Sequence, residues 1–300
     1  MSISIIRMMY PSPKIIQFDS RQLAIEDSGN GFPVLVQSGF GSRHLFPGAM
    51  VEAERAGFRL ISYDRPGLGQ SSPWPGRQVA DSIVDVKAIV DALEIDRFAV
   101  WGSSGGGPYA VAAAAGLSDI VTSVFLFSPI GPYGTPQLDF TEGMGVDGNF
   151  HNEIAKVLED PTTARAGFMA QARDMLESQG SSATWLSRWG DLAGKDDAHS
   201  VEWADYLAAC AVDGFGDKGE GWWEDWCATF LPWGLDLSRV TAPVSLWHGM
   251  QDEMVHQSHA HWYAENLSNI EVHLLPDIDH TNIDENLRST ALKWFTQYAT

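Results

Sequence analysis

The chain is predicted to fold as an α/β protein: a mostly parallel β-sheet flanked by helices, with a helical block inserted between two of its strands. Three observations carry this prediction. Short apolar or β-branched runs alternate with stretches of helical periodicity over the first half of the sequence. The alternation stops near Gly134 and resumes after Leu235, and the block between them is too long for a loop. The 300 residues, 44% of them hydrophobic, are enough for one large domain carrying an insertion.

In chain order, Lys14–Phe18 and Leu23–Asp27 read as the strands of an opening hairpin. Val34–Gln37 is a continuous apolar strand that runs into SGFGS, and Leu45–Ala56 then reads as a helix. Arg59–Tyr63 is a strand running into DRPGLGQSS. Val79–Leu93 places apolar side chains at Val79, Ile83, Val86, Ile89, Val90 and Leu93, which is helical spacing. Phe98–Trp101 is a strand, GSSGGGP a turn, and Tyr109–Ala115 an alanine-rich helix before the strand Val124–Phe127. After the inserted block come the strand Val244–Trp247, the helix Gln257–Asn266, the strand Val272–Leu275 and a last helix over Asn282–Tyr298. Residues 1–133 and 236–300 are therefore expected to form the core, and residues 134–235, rich in Trp and Met, a helical cap.

Charge narrows the function. Asp and Glu number 39 against 19 Lys and Arg, a net charge of −20. Such a surface is wrong for nucleic-acid phosphates, anionic membranes and highly anionic substrates. No run approaches the roughly 18 apolar residues of a membrane span. The opening MSISIIRMMYPSPK lacks the long apolar stretch and cleavage site of a signal peptide. Cys210 and Cys227 do not make a disulfide framework; two buried thiols are expected ahead of a single bridge, a reducing cytoplasm suits either reading, and a cytoplasmic protein is expected.

The segment Gly102-Ser103-Ser104-Gly105-Gly106 carries the chemistry. It follows a strand and precedes a helix, the context in which G-x-S-x-G raises a serine oxygen above a sheet. The sharp turn demands small residues two before and two after the serine. That requirement selects Ser104, because Trp101 would occupy the earlier position for Ser103. The helix N-terminus behind Ser104 directs N–H groups at developing negative charge.

Here the chain resembles the α/β-hydrolase superfamily over nearly its whole length apart from the inserted block. The resemblance implies an α/β-hydrolase fold and a triad in the order Ser, acid, His. Val244–Trp247 runs into HGMQDEMV, where Gly249-x-x-Asp252 resembles the acid-bearing loop, and Val272–Leu275 runs into PDIDHTNI, where His280 precedes the last helix. The expected catalytic residues are Ser104 as nucleophile, His280 as base and Asp252 as the acid that orients it. Glu253, Asp277 and Asp279 stand nearby as alternative acids.

The family's oxyanion hole implies the backbone N–H groups of Gly105 and, from SGFGS, Phe40. Ser38 stands where the family's familiar form has His. Asp64-Arg65-Pro66-Gly67-Leu68-Gly69-Gln70-Ser71 resembles a family loop motif and reads as structural. His44 is expected at the mouth of the site, touching substrate. In this family an insertion at 134–235 forms a lid, so Trp185, Trp222, Trp223 and Trp226 are candidate substrate contacts.

The resemblance implies a serine esterase acting through an acyl-enzyme on a small, largely apolar, uncharged substrate. The same triad serves amide, lactone and carbon–carbon bond hydrolysis and acyl transfer. A non-catalytic small-molecule receptor on this fold is the reading from a different class. No cofactor or metal is expected: His256, His259 and His261 lack the carboxylate or cysteine spacing that would complete a zinc site, and His248 reads as structural.

Overall fold

The computed structural model describes residues 12–145, 159–177, 205–210, 214, 219–280 and 285–299. β1 (Lys14–Phe18) and β2 (Arg21–Asp27) form the expected antiparallel hairpin. β2 also pairs antiparallel with β4 (Phe58–Tyr63). The remaining strands, β3 (Phe32–Gln37), β5 (Phe98–Ser103), β6 (Val121–Phe127), β7 (Val244–Gly249) and β8 (Ile270–Leu275), are parallel to β4 and to one another. The sheet order is β1-β2-β4-β3-β5-β6-β7-β8. The chain moves outward from β3 to β4, then returns to the other side of β3 with β5. Ligands of open α/β sheets bind beyond the strand C-termini at such a reversal.

The strands alternate between two cores, as a period of two requires. Phe98, Val100, Val124 and Leu126 enter one cluster, with α2 (Ser82–Ala92), α3 (Gly107–Gly116) and α6 (Ser258–Asn266). Ala99, Phe125 and Phe127 enter the other, with α1 (Pro47–Arg55) and α7 (Glu285–Phe295). α1 and α7 are joined by the fork of Arg288 on both carboxylate oxygens of Glu52, each at 2.8 Å. β6 is buried at every position. Such strands read as continuous apolar runs, because parallel strands are covered on both faces.

Boundaries differ from expectation where polar residues interrupt a pattern. The helix expected over 79–93 opens instead as a 3₁₀ turn, Val79–Asp81, before α2. The Ser82 hydroxyl donates to the Val79 carbonyl at 2.7 Å and the Asp81 carboxylate accepts from the Gln78 N–H at 2.7 Å, which tightens that turn. β6 begins at Val121 rather than Val124 because Thr122 and Ser123 are buried strand residues.

Between β6 and β7 the described elements are helical: α4 (Pro161–Glu177), a stretch over 205–210, and α5 (Glu220–Phe230). Their apolar residues, among them Phe168, Leu207, Trp222 and Phe230, join the cluster built on α3. Both cysteines are free thiols; Cys210 is buried as expected, but Cys227 is only half-buried. No helix among the described residues is long and apolar enough to cross a membrane.

Candidate active site

β5 ends in extended backbone at Ser103, and the next residue, Ser104, sits at φ +53°. A side chain at positive φ is strained by about 1–3 kcal/mol and persists only where its surroundings enforce it. Here they do. A Cβ on Gly102 would lie 2.6 Å from Ala110 Cβ, and one on Gly106 would lie 1.9 Å from the Gln37 carbonyl oxygen. Only glycine fits at either position, so α3 packs directly on the strands. The Ile130 N–H donates to the Ser104 carbonyl at 3.1 Å and pins the turn from the β6 side. Ser103 faces elsewhere: its Oγ accepts from Trp101 Nε1 at 2.8 Å.

Three loops beyond the strand C-termini then meet. His280 Nε2 lies 3.0 Å from Ser104 Oγ, and His280 Nδ1 lies 2.7 Å from Asp252 Oδ2. The other carboxylate oxygen, Asp252 Oδ1, accepts from the N–H groups of Met254 (3.0 Å) and Val255 (2.8 Å). The β7 and β8 loops are tied together by Met250 N–H to the Leu275 carbonyl (2.8 Å) and Gln251 N–H to the Ile278 carbonyl (3.0 Å). A Cβ on Gly249 would meet the Ile278 oxygen at 2.2 Å, which gives the Gly-x-x-Asp spacing its physical reason. Of the candidate acids, Asp252 hydrogen-bonds His280, while Asp279 adds its charge.

Protonation follows from these contacts. Burial works against the Asp252 carboxylate, but the charge and hydrogen bond of His280 outweigh it and hold its pKa below the ordinary value. An ionised carboxylate only accepts, so His280 carries its proton on Nδ1. Nε2 is left with a lone pair facing the Ser104 hydroxyl. For His280, burial disfavours the charged ring, and the Asp252 charge and hydrogen bond overcome this and raise its pKa above the ordinary 6.5. The arrangement can thus move a proton from Ser104 to His280 and stabilise the imidazolium that forms. Accepting the Ser104 proton needs the neutral ring, so for any reaction that uses this transfer kcat/KM is expected to fall on the acid side with a midpoint above 6.5. A pH profile of kcat/KM checks this, and a midpoint below 6.5 contradicts it.

The 38–42 loop follows β3, the neighbour of β5 at the reversal. A Cβ on Gly39 would lie 3.1 Å from Ser104 Cβ and 3.6 Å from its Oγ, so this loop borders the serine. Arg65 holds it, with Nη1 donating to the Ser38 carbonyl at 2.8 Å and Nη2 reaching the Gly39 carbonyl at 3.5 Å. In a trans peptide the N–H opposes the preceding C=O. The Phe40 N–H is therefore turned away from the guanidinium. Gly105, whose added Cβ would be 3.0 Å from the Gly39 oxygen, faces the same loop.

Other candidates lie as follows. His44 is buried, with Nδ1 3.6 Å from Glu26 Oε2. Asp64 is also buried and accepts from the Arg43 backbone and guanidinium, each at 2.8 Å, as a loop-setting residue does. His248 Nε2 donates to the Val255 carbonyl at 2.7 Å, and burial drives its pKa down to about 4. An unprotonated imidazole accepts at one nitrogen and donates at the other. His259 does both to backbone, accepting at Nδ1 from Gly131 N–H (2.8 Å) and donating from Nε2 to the Phe140 carbonyl (3.0 Å). Trp222 and Trp223 are buried and Trp226 half-buried. All three pack around Phe168 of α4, with ring centroids 4.1, 5.7 and 6.0 Å away. Trp185 lies outside the described residues.

Asp225 on α5 is the residue that sequence reasoning passed over. Its Oδ1 accepts from Arg65 Nε (2.8 Å), Arg77 Nη2 (2.7 Å) and the Tyr109 hydroxyl (3.1 Å), and its Oδ2 from Arg65 Nη2 (2.6 Å). All four residues are buried. The signal was present: Trp222, Asp225 and Thr229 follow helical spacing on the buried face, and an acid on that face needs a partner.

A family model described as the alpha/beta hydrolase fold matches residues 33–287. The AB hydrolase superfamily protein YisY of Bacillus subtilis (strain 168) is 33% identical over 125 residues, covering 41% of this chain and 47% of that protein. The zearalenone hydrolase of Bionectria ochroleuca is 31% identical over 100 residues, 31% of this chain and 38% of that protein. These two matches span less than half the length of either relative. Among solved structures, the esterase EaEST from Exiguobacterium antarcticum aligns with a TM-score of 0.66 at 18% identity, over 96% of this chain and 99% of that one. At that identity the likeness is one of fold.

Proposed function

The chain belongs to the alpha/beta hydrolase family, and from that premise we propose that it is a serine hydrolase cleaving a carboxylic ester of a small, largely apolar, uncharged substrate. The observation that carries the reading is the unbroken chain from Ser104 Oγ to His280 Nε2 (3.0 Å) and from His280 Nδ1 to Asp252 Oδ2 (2.7 Å), with the serine held at φ +53°. Ser104 attacks the acyl carbon as His280 takes its proton. His280 returns that proton to the departing alcohol. Water, activated by the same ring, then releases the acid from the acyl-enzyme. The N–H groups of Gly105 and Phe40 are assigned to the oxyanion. A net charge of −20 disfavours anionic substrates.

Residues 134–235 are read as a cap that shapes the acyl or alcohol pocket. In that reading Trp222 and Trp223 are cap core, and half-buried Trp226 is the contact left for substrate among the described candidates. The test is turnover of p-nitrophenyl esters of increasing chain length, with an anilide and a lactone alongside. Ester turnover well above anilide turnover supports the reading. Turnover of none of them, with no covalent labelling of Ser104, favours a receptor instead. Trp226→Ala is expected to raise KM several-fold for long apolar esters and to leave acetate kcat within about twofold, since acetate draws little on remote binding. Trp222→Ala is expected to appear instead as a loss of stability of about 3–5 kcal/mol. Chain-length profiles and denaturant titrations of both variants check this pair.

A further inference from the structure

We propose that Asp225, carried by α5 in the segment between β6 and β7, is a positioning residue for the oxyanion loop, acting through Arg65. The proposal rests on the serine-hydrolase reading above. The Arg65 guanidinium is divided between two duties. Nε and Nη2 form a fork on the two Asp225 oxygens at 2.8 and 2.6 Å. Nη1 donates to the Ser38 carbonyl at 2.8 Å, and Nη2 also reaches the Gly39 carbonyl at 3.5 Å. The carboxylate thereby fixes the plane of the guanidinium, and the guanidinium fixes the two peptides that precede Phe40. The stacking of Arg65 on the Tyr109 ring, 4.1 Å from its centroid, ties the same group to the helix behind Ser104.

A second observation shows that α5 is seated firmly enough to serve as a reference. A Cβ on Gly221 would lie 1.8 Å from the Gly67 carbonyl oxygen, so α5 and the 64–71 loop touch backbone to backbone one turn before Asp225. The Gly76 N–H donates to Glu224 at 2.9 Å and the Ala80 N–H to the Trp233 carbonyl at 2.9 Å, extending the seat to either side. This part of the inserted segment is a buttress on the sheet loops. Its influence is expected on transition-state stabilisation and not on substrate selection alone.

Burial and charge agree with that role. Burial opposes the Asp225 carboxylate, but Arg65 and Arg77 outweigh it and hold its pKa below the ordinary range. The clamp is therefore charged at neutral pH. Arg77 supplies an internal control. Its Nη2 donates to Asp225 Oδ1 at 2.7 Å, and its Nε and Nη1 have no hydrogen-bond partner among the described residues, so no contact of Arg77 with the oxyanion loop is seen.

The experiment measures kcat and KM for p-nitrophenyl acetate, and the inhibition constant of phenylboronic acid, in wild type, Arg65→Lys, Asp225→Asn and Arg77→Gln. Lysine keeps the charge beside Asp225 but cannot span the carboxylate and two carbonyls at once. Arg65→Lys and Asp225→Asn are expected to lose at least tenfold and up to about a hundredfold in kcat, with KM within about twofold and boronate inhibition weakened in proportion. Arg77→Gln, which leaves the Arg65 fork on Asp225 in place, is expected to lower the melting temperature and to lose clearly less kcat than Arg65→Lys. The proposal is overturned if folded Arg65→Lys keeps wild-type kcat, if Arg77→Gln loses as much kcat as Arg65→Lys, or if the loss lies in KM alone. Should Asp225→Asn not fold, Arg65→Lys decides, and failure of both to fold assigns the cluster to stability only. Wild type that neither turns over ester nor is labelled at Ser104 defeats the underlying reading, and this proposal with it.

Discussion

Ser104→Ala is expected to lower kcat for a small activated ester by roughly 10⁶-fold while the melting temperature stays near that of the wild type. The loss follows from removing the attacking oxygen, which leaves only the polarising groups around the acyl carbon. The fold is spared because of what the serine contributes structurally. Its φ of +53° is enforced by Gly102, Gly106 and the Ile130 N–H, none of which touches the hydroxyl. Alanine has the same Cβ and meets the same strain. Steady-state rates on p-nitrophenyl acetate, beside a thermal melt, check both halves of the prediction.

Asp252→Asn is expected to lower kcat by roughly 10³–10⁴-fold with little change in KM. The two oxygens of Asp252 have separate duties. Oδ1 accepts from the Met254 and Val255 N–H groups, and an asparagine oxygen placed there keeps the loop intact. Asparagine then presents an NH₂ to His280 Nδ1, where the carboxylate Oδ2 stood at 2.7 Å. A donor facing Nδ1 selects the tautomer protonated at Nε2, which cannot accept the Ser104 proton. Full activity in Asp252→Asn, with loss in Asp279→Asn, would show that the field of Asp279 and not the hydrogen bond of Asp252 orients the base. Kinetics of both variants separate the two.

Why so much of this was legible before the structure is a matter of range. The sheet could be read because buried parallel strands are runs of apolar residues, and Phe98–Trp101 and Val124–Phe127 are such runs. The Ser104 turn could be read because its spacing is local, with small residues two before and two after the serine, even though Gly106 owes its smallness to Gln37 on a neighbouring strand. Gly249-x-x-Asp252 was legible through the family resemblance alone, since the contact that requires the glycine is with the 275–280 loop, remote in sequence. Asp225 was passed over because its partners Arg65 and Tyr109 are remote in sequence, brought together only when α5 lies on the 64–71 loop. Nor could the sequence say which tryptophans turn inward. Trp222 and Trp223 do so because Phe168 of α4 packs against them, a contact between helices rather than within one. His44 was placed at an open mouth by adjacency to the 38–42 loop; the fold buries it with its ring toward Glu26.

The central claim is that Ser104 is the nucleophile, and covalent labelling tests it most directly. Wild type treated with a fluorophosphonate, digested and mapped by mass spectrometry should carry one phosphonyl group on Ser104, with ester turnover lost in step, and Ser104→Ala should carry none. Labelling at Ser103, or an unlabelled wild type that still turns over ester, would contradict the account.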